Sequence, residues 1–145
     1  MDTATLAYVA AVVDTFANLR LRQVERAQLP EVQVNCPNLA LLEWLGEITG
    51  TTPFTTKRDY MRHGCAQHCE EAHQHIKSRS GRWGVTGVRA TVLLINIEPH
   101  LRFRRAEALD LIEHGMAVGW KSHTAKSMAD LGWAVPTRQA GLRSA

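Results

Sequence analysis

Two different periods of apolar residues alternate along this chain, and their order predicts its secondary structure. Residues 6–17 form a compact apolar run of small and β-branched side chains, which predicts a buried helix. From Asn18 to Val24 the pattern changes to strict alternation, in which Arg20 and Arg22 are interleaved with Leu19 and Leu21. Since a strand turns every second residue to the same side, the leucines would face a core and the arginines the opposite face. The chain thus begins with a helix that leads directly into a strand.

The same pair of patterns then recurs. Alternation over 32–36 predicts a second strand, which could pair with the first in an antiparallel ribbon. Asn38 is a good N-cap for a helix over 39–49, and Gly50 would end it. The side chains that the second strand would bury are Val32, Val34 and Cys36, and those that it would expose are Gln33 and Asn35.

The second half repeats this order with longer strands. β-Branched and aromatic residues predict a third strand within 51–60. A fourth is predicted over 73–86, interrupted at 78–81, with Trp83 and Val85 on one side. Helices are predicted over 88–98, where Pro99 stops the run, over 106–114, and over 125–131 with Thr124 as its cap. The predicted class is therefore α+β with the order αββαββαα, followed by a C-terminal extension.

Composition and charge narrow the function classes. The 145 residues are 45% hydrophobic, which suits one domain with a core of its own. A net charge of +3 is compatible with a nucleic-acid partner without establishing one. The apolar stretch near the start is too short to span a bilayer and lacks the positive charge that opens a signal peptide, so we expect a cytoplasmic protein with no membrane partner. Three cysteines, an odd number in a chain without an export signal, argue against a disulfide framework.

Four phrases of the sequence, in order, resemble the LAGLIDADG homing endonuclease family. The helix at 9–17 fits the motif that names the family, with conservative changes at its apolar positions. The other three phrases lie at 38–45, 83–87 and 97–105, and the resemblance extends over about 6–115. Four phrases in register are more specific than one apolar decapeptide. We therefore expect a LAGLIDADG-like domain over 1–118 with an extension over 119–145.

The resemblance implies a saddle-shaped antiparallel sheet that lies in the major groove of double-stranded DNA, with motif helices packed at a two-fold axis. Because the motif occurs once, the expected assembly is a homodimer through the first helix. Small residues on that helix would let a second backbone approach, although burial within the chain's own core is the ordinary alternative. The predicted interface residues are Ala7, Ala10, Ala11 and Asp14.

Basic and amide side chains from the strand segments are the candidate DNA contacts. Arginine suits guanine edges and phosphates, and asparagine or glutamine suits adenine. An antiparallel sheet also normally has one wet side, so a solvated polar face is the alternative. The eight candidates are Arg20, Arg22, Gln33, Asn35, Lys57, Arg58, Lys77 and Arg79.

Phe16 is the main departure from the family. The resemblance places at this position an acid that binds a divalent cation at the scissile phosphates, and phenylalanine cannot bind a cation. We therefore predict a homodimeric DNA-binding protein of a bacterium or phage that has lost strand cleavage and serves as a transcriptional regulator. The alternative is an active, Mg²⁺-dependent endonuclease that uses a substitute acid such as Asp14, and a weaker one is a sheet turned to protein binding.

A Cys/His-rich segment at 63–75 stands outside the family pattern. It holds six of the ten histidines and cysteines in the chain. Two cysteines four residues apart and a His-x-His pair on a strand predict a structural Zn²⁺ site formed by Cys65, Cys69, His73 and His75, in which His63 or His68 could replace one ligand. An exposed polar hairpin with incidental cysteines is the alternative. In the extension, Trp120, Met128, Leu131 and Trp133 would dock on the domain or bind a partner.

Overall fold

A computed structural model of the chain describes the backbone of residues 1–61, 75–119 and 122–137, and the side chains of 1–55, 80–119 and 122–137. The elements follow the predicted order, with a fifth helix in the extension. They are α1 (Thr3–Phe16), β1 (Ala17–Val24), β2 (Ala27–Cys36), α2 (Leu39–Thr49), β3 (Phe54–Met61), β4 (His75–Thr86), α3 (Val88–Ile97), a 3₁₀ turn (Glu98–His100), α4 (Arg105–Val118) and α5 (Ser122–Asp130).

The four strands form one antiparallel sheet in the order β1-β2-β4-β3, and the helices pack on one of its faces. The alternating residues of β1, β2 and β4 supply the covered face, as the pattern predicted. The large apolar strand residues buried on this face include Leu19, Val32, Val34, Trp83 and Val85. The α+β class and the αββαββαα order are confirmed.

β4 runs without the predicted interruption at 78–81. Gly81 pairs with Thr55 on one side and Cys36 on the other, so the strand stays in the sheet. A Cβ at position 81 would lie 2.5 Å from Cδ1 of Leu42 on α2. The glycine therefore serves close packing of a helix on a strand, where the sequence pattern suggested a break.

β2 begins at Ala27, five residues before its predicted start. The polar stretch that precedes Val32 pairs with β1 in register, up to Val24 opposite Ala27. A two-residue turn joins the strands, and Glu25 adopts φ +53° there. This turn has no Asn-Gly or Asp-Gly signature, so the sequence held no signal for such a long hairpin.

The C-terminal extension docks on the domain through Met128 and Trp133, whereas Leu131 is 38% exposed and Trp120 lies outside the described residues. Met128 is fully buried, and the indole of Trp133 donates a 2.7 Å hydrogen bond to the Ile48 carbonyl. The Asn96 side chain bonds both the N–H and the carbonyl of Ala134. α5 begins at Ser122, so the predicted cap Thr124 lies inside the helix, and α4 continues past the predicted end to Val118.

Among the helices of the described segments, none has the combination of length and apolar character that crossing a bilayer requires.

Candidate nucleic-acid interface

The sheet face opposite the helices carries the arginines of β1. A shallow groove of about 310 Å³ runs across this face. Its walls include Arg20, Arg22, Glu31, Gln33, Phe54 and Arg82. These residues come from all four strands, so the groove exists only once β1, β2, β4 and β3 are paired. We call this surface the arginine face.

Glu31 joins the two arginines of β1. Its carboxylate accepts a 2.5 Å hydrogen bond from Nε of Arg20 and a 3.2 Å bond from Nη1 of Arg22. Arg20 lies directly opposite Glu31 in the cross-strand register. The Glu31 side chain is only 6% exposed, whereas those of Arg20 and Arg22 are 51% and 56% exposed. The carboxylate is thus held under the guanidinium groups, which remain open to solvent.

Arg82 is a third arginine on this face and was not among the eight predicted DNA contacts. Its guanidinium lies 5.7 Å from the centre of the Phe54 ring, a cation–π arrangement. Arg82 and Phe54 are paired positions of β4 and β3. Its placement follows from the fact that Trp83 and Val85 are buried, since residues of the other parity must face away. Because an interruption was predicted at 78–81, the alternation of β4 was not extended to Arg82.

The predicted DNA contacts in the described side chains have mixed placements. Arg20 and Arg22 are exposed on the arginine face, and Asn35 is exposed as expected. The prediction that Gln33 is exposed is wrong, because this residue is only 8% exposed. It lies in the central strand between Asn18 and Gly84, and its side chain packs in the groove floor.

The other four predicted contacts lie in β3 and β4, and their side chains fall outside the described part of the structure. The backbone register pairs Lys57 with Arg79 and Asp59 with Lys77. Residues two apart on a strand lie on the same side of the backbone. By this register, Arg58 is in phase with Arg82, whereas Lys57, Lys77 and Arg79 are in phase with Trp83. DNA contacts by Lys57, Arg58, Lys77 and Arg79 stay a prediction.

Asp14 has a structural role inside the chain. Its Oδ2 accepts a 2.8 Å bond from the N–H of Arg102, and its Oδ1 accepts bonds of 3.3 and 3.1 Å from the N–H groups of Phe103 and Arg104. Three consecutive amides before α4 are therefore satisfied by one carboxylate. The Arg104 side chain also links the end of α1 to α4, because it donates hydrogen bonds to the Ala17 carbonyl and to the Glu107 carboxylate. The Arg104 hydrogen bond holds the pKa of Glu107 below its ordinary value.

Phe16 ends α1 with an exposed ring, 53% open to solvent. β1, the strand that carries Arg20 and Arg22, begins at the next residue. Within the described residues, no group of three or more histidine, cysteine, aspartate or glutamate side chains is arranged to hold a metal ion. The end of α1 thus presents an apolar ring where the family resemblance predicts a metal-binding acid.

The exposed side of α1 carries some of the predicted dimer residues. Ala7 and Ala11 are exposed and line a groove of about 450 Å³ between α1 and the segment 99–103. Phe103 borders the same groove and is 85% exposed. Ala10 is wrong as an interface residue, because it is fully buried against the chain's own core. Ala10 and Ala11 are adjacent residues, so they face different sides of the helix.

The predicted zinc ligands Cys65 and Cys69, with His73, lie outside the described residues, and of His75 only the backbone is described, at the start of β4. The alternatives His63 and His68 lie outside them as well. The Zn²⁺ site and its structural role stay predictions.

Comparison with known proteins gives a structural match alone. No protein-family model and no curated protein matches the chain. Among solved structures, the homing endonuclease I-CvuI in complex with the I-CreI target, with magnesium and uncleaved DNA, superposes with a TM-score of 0.52 at 16% identity. I-CvuI in complex with its own target in calcium gives 0.51 at 18% identity, and each alignment covers 89% of this chain and 80% of the other.

The chain has the homing endonuclease fold. An identity below one fifth carries the fold alone, so the residues of the arginine face have to support any function by their own chemistry.

Proposed function

We propose that this protein is a homodimeric DNA-binding protein that does not cleave DNA and that serves as a transcriptional regulator. The observation that carries the proposal is the arginine face, which presents exposed guanidinium groups across the helix-free side of the sheet. The structures with a similar fold, those of I-CvuI, are complexes with DNA targets. A four-stranded antiparallel face with arginines at alternate positions can contact both phosphates and guanine edges.

Salt-dependent binding to double-stranded DNA is the first expected result. Sites selected from a random pool should bind with an affinity that falls as KCl rises, because contacts to phosphates release counterions. Arg82→Ala should weaken binding to the selected site about 5- to 150-fold if the guanidinium reads a base edge. Fluorescence anisotropy with labelled duplexes measures both quantities.

Lys126→Ala is the matched control for this experiment, since Lys126 is an exposed cation on α5, away from the sheet. Equal loss of affinity in the two variants, or binding that is indifferent to salt, would contradict the proposal and favour protein binding by the sheet.

Absence of cleavage is supported by the end of α1. Phe16 offers no metal ligand, and both oxygens of Asp14 already accept backbone hydrogen bonds. A carboxylate committed to three amides is a poor replacement for a metal-binding acid. The selected duplex should therefore remain intact with magnesium or manganese, and double-strand cutting by the wild-type chain on a gel would support the endonuclease alternative.

Dimerisation through α1 is proposed on its exposed small residues. Ala11→Glu should give a monomer by sedimentation and abolish preference for two-fold symmetric sites, since a buried unpaired carboxylate is costly at a helix seam. Ala11 is exposed within one chain, so the fold itself should survive. Ala117→Glu, at an exposed position of α4, is the control, and a dimer that persists in Ala11→Glu would exclude this interface.

A further inference from the structure

An acid lies beneath the arginine face, and attraction between this face and DNA does not explain its presence. Glu31 cancels part of the positive charge of Arg20 and Arg22 and would repel a phosphate placed against this face. A surface selected only for affinity would carry a neutral residue here. The strand pairing nevertheless places Glu31 directly across from Arg20, with its side chain almost wholly covered.

The two hydrogen bonds engage different edges of the two guanidinium groups. Arg20 donates through Nε, so its terminal pair of nitrogens, Nη1 and Nη2, keeps parallel N–H donors. Arg22 donates through Nη1, so its lateral pair, Nε and Nη2, keeps them. Within the described part of the structure, no other group hydrogen-bonds to either free pair. Each arginine thus retains one complete two-donor edge.

We propose that Glu31 is a positioning residue that orients Arg20 and Arg22 so that each presents a two-donor edge to a guanine. A guanine offers two acceptors, O6 and N7, in the major groove, which match such an edge. This inference rests on the proposed DNA-binding function and adds to it the class of base that is read. Two arginines fixed by one carboxylate would read two nearby G·C pairs in each half-site.

Positioning by a buried carboxylate lowers the affinity for DNA in general and raises the discrimination between bases. Free arginines reach phosphates and any guanine edge with many rotamers, whereas a pair held by Glu31 has lost that freedom before DNA arrives. The cost is one negative charge close to the DNA backbone. Removal of Glu31's charge should therefore change non-specific affinity and base preference in opposite directions.

The test compares wild type with Glu31→Gln. Sites are selected from a random duplex pool for each protein, and affinities are then measured for the wild-type site, for duplexes with single G·C to A·T changes, and for a random duplex. Wild type should lose about 5- to 150-fold in affinity for each of two G·C pairs that are changed. Glu31→Gln has one acceptor oxygen, so it should lose most of this discrimination while binding the random duplex at least as tightly as wild type.

Two further variants keep the experiment decisive. Glu43→Gln removes the same charge from an exposed position of α2, and it should keep the wild-type base preference. Arg20→Lys keeps a positive charge beside the covered Glu31 at a half-exposed position, and lysine acts as a point charge without a two-donor edge. It should lose the preference at one of the two pairs and keep the salt dependence of wild type.

Three outcomes would overturn the inference. Unchanged base preference in both Glu31→Gln and Arg20→Lys leaves DNA binding intact but removes the positioning role. A uniform loss of affinity for all duplexes in Glu31→Gln would make Glu31 a structural residue only. Wild type that binds no duplex at low salt would overturn the proposed function together with this inference.

Discussion

Asp14→Ala should lower the free energy of unfolding by about 2–4 kcal/mol. The variant leaves three consecutive amides before α4 without their acceptor, and hydrogen bonds to a charged group contribute about 1.5–3 kcal/mol each when buried, less where water can replace the partner. The bonds to Arg102, Phe103 and Arg104 connect α1 to α4 across 88–90 residues of sequence. Urea denaturation followed by circular dichroism measures the change.

Asp110→Ala provides the control, since Asp110 is an exposed acid on α4 itself. It should shift the unfolding midpoint only slightly. Asp14→Asn keeps one acceptor oxygen and should fall between the alanine variant and wild type. If the free energy of unfolding of Asp14→Ala equals that of Asp110→Ala, the three amides find other partners. Asp14 would then again be a candidate catalytic acid.

Gly115→Ala should also destabilise the fold, by about 1–3 kcal/mol, although alanine is the better helix former. An added Cβ would lie 2.0 Å from Oγ1 and 2.8 Å from Cγ2 of the buried Thr91. α3 and α4 cross at this point, so the methyl group has to push the helices apart or rotate Thr91 away from its bond to the Gly87 carbonyl. The midpoint of urea denaturation reports the loss.

Thr91→Ala supplies the complementary test. It removes Oγ1 and Cγ2, the two nearest atoms that the added Cβ would meet, and leaves the Thr91 Cβ at 2.9 Å. The double variant should therefore be more stable than Gly115→Ala alone, so that the two changes couple in a double-mutant cycle. Additive losses would mean that α4 shifts as a body and that the close approach of the two helices is not a constraint. A Gly115→Ala variant more stable than wild type would refute the packing argument outright.

Prediction from the pattern succeeded where local signals were strong. Asn38 and Gly50 mark the two ends of α2, as predicted. The Asn38 side chain accepts a hydrogen bond from the Leu41 amide, and Gly50 adopts the left-handed conformation at φ +68°. Cap residues act within one turn, so sequence neighbours contain the whole interaction. The two-residue period likewise separated Leu19 from Arg20 correctly.

The arginine face was only partly predictable. Arg20 and Arg22 stand out because they alternate with leucines, but Glu31 reaches them from another strand, eleven and nine residues away. Arg82 and Phe54 meet across β4 and β3, which are joined by a long intervening segment. Such pairs depend on register, and a slip of one residue would turn every one of these side chains to the other face.

The first helix shows the same division most clearly. Its sequence by itself determined that α1 is an apolar helix, that it leads directly into an alternating strand, and that Phe16 stands where the family resemblance predicts a metal-binding acid. Only the tertiary structure decided that Ala10 lies in the core while Ala7 and Ala11 lie on the surface, and that Asp14 bonds the amides before α4. The reason is physical: periodicity tells which residues share a side of a helix, but burial and hydrogen bonding depend on partners that the chain brings back from far along its length.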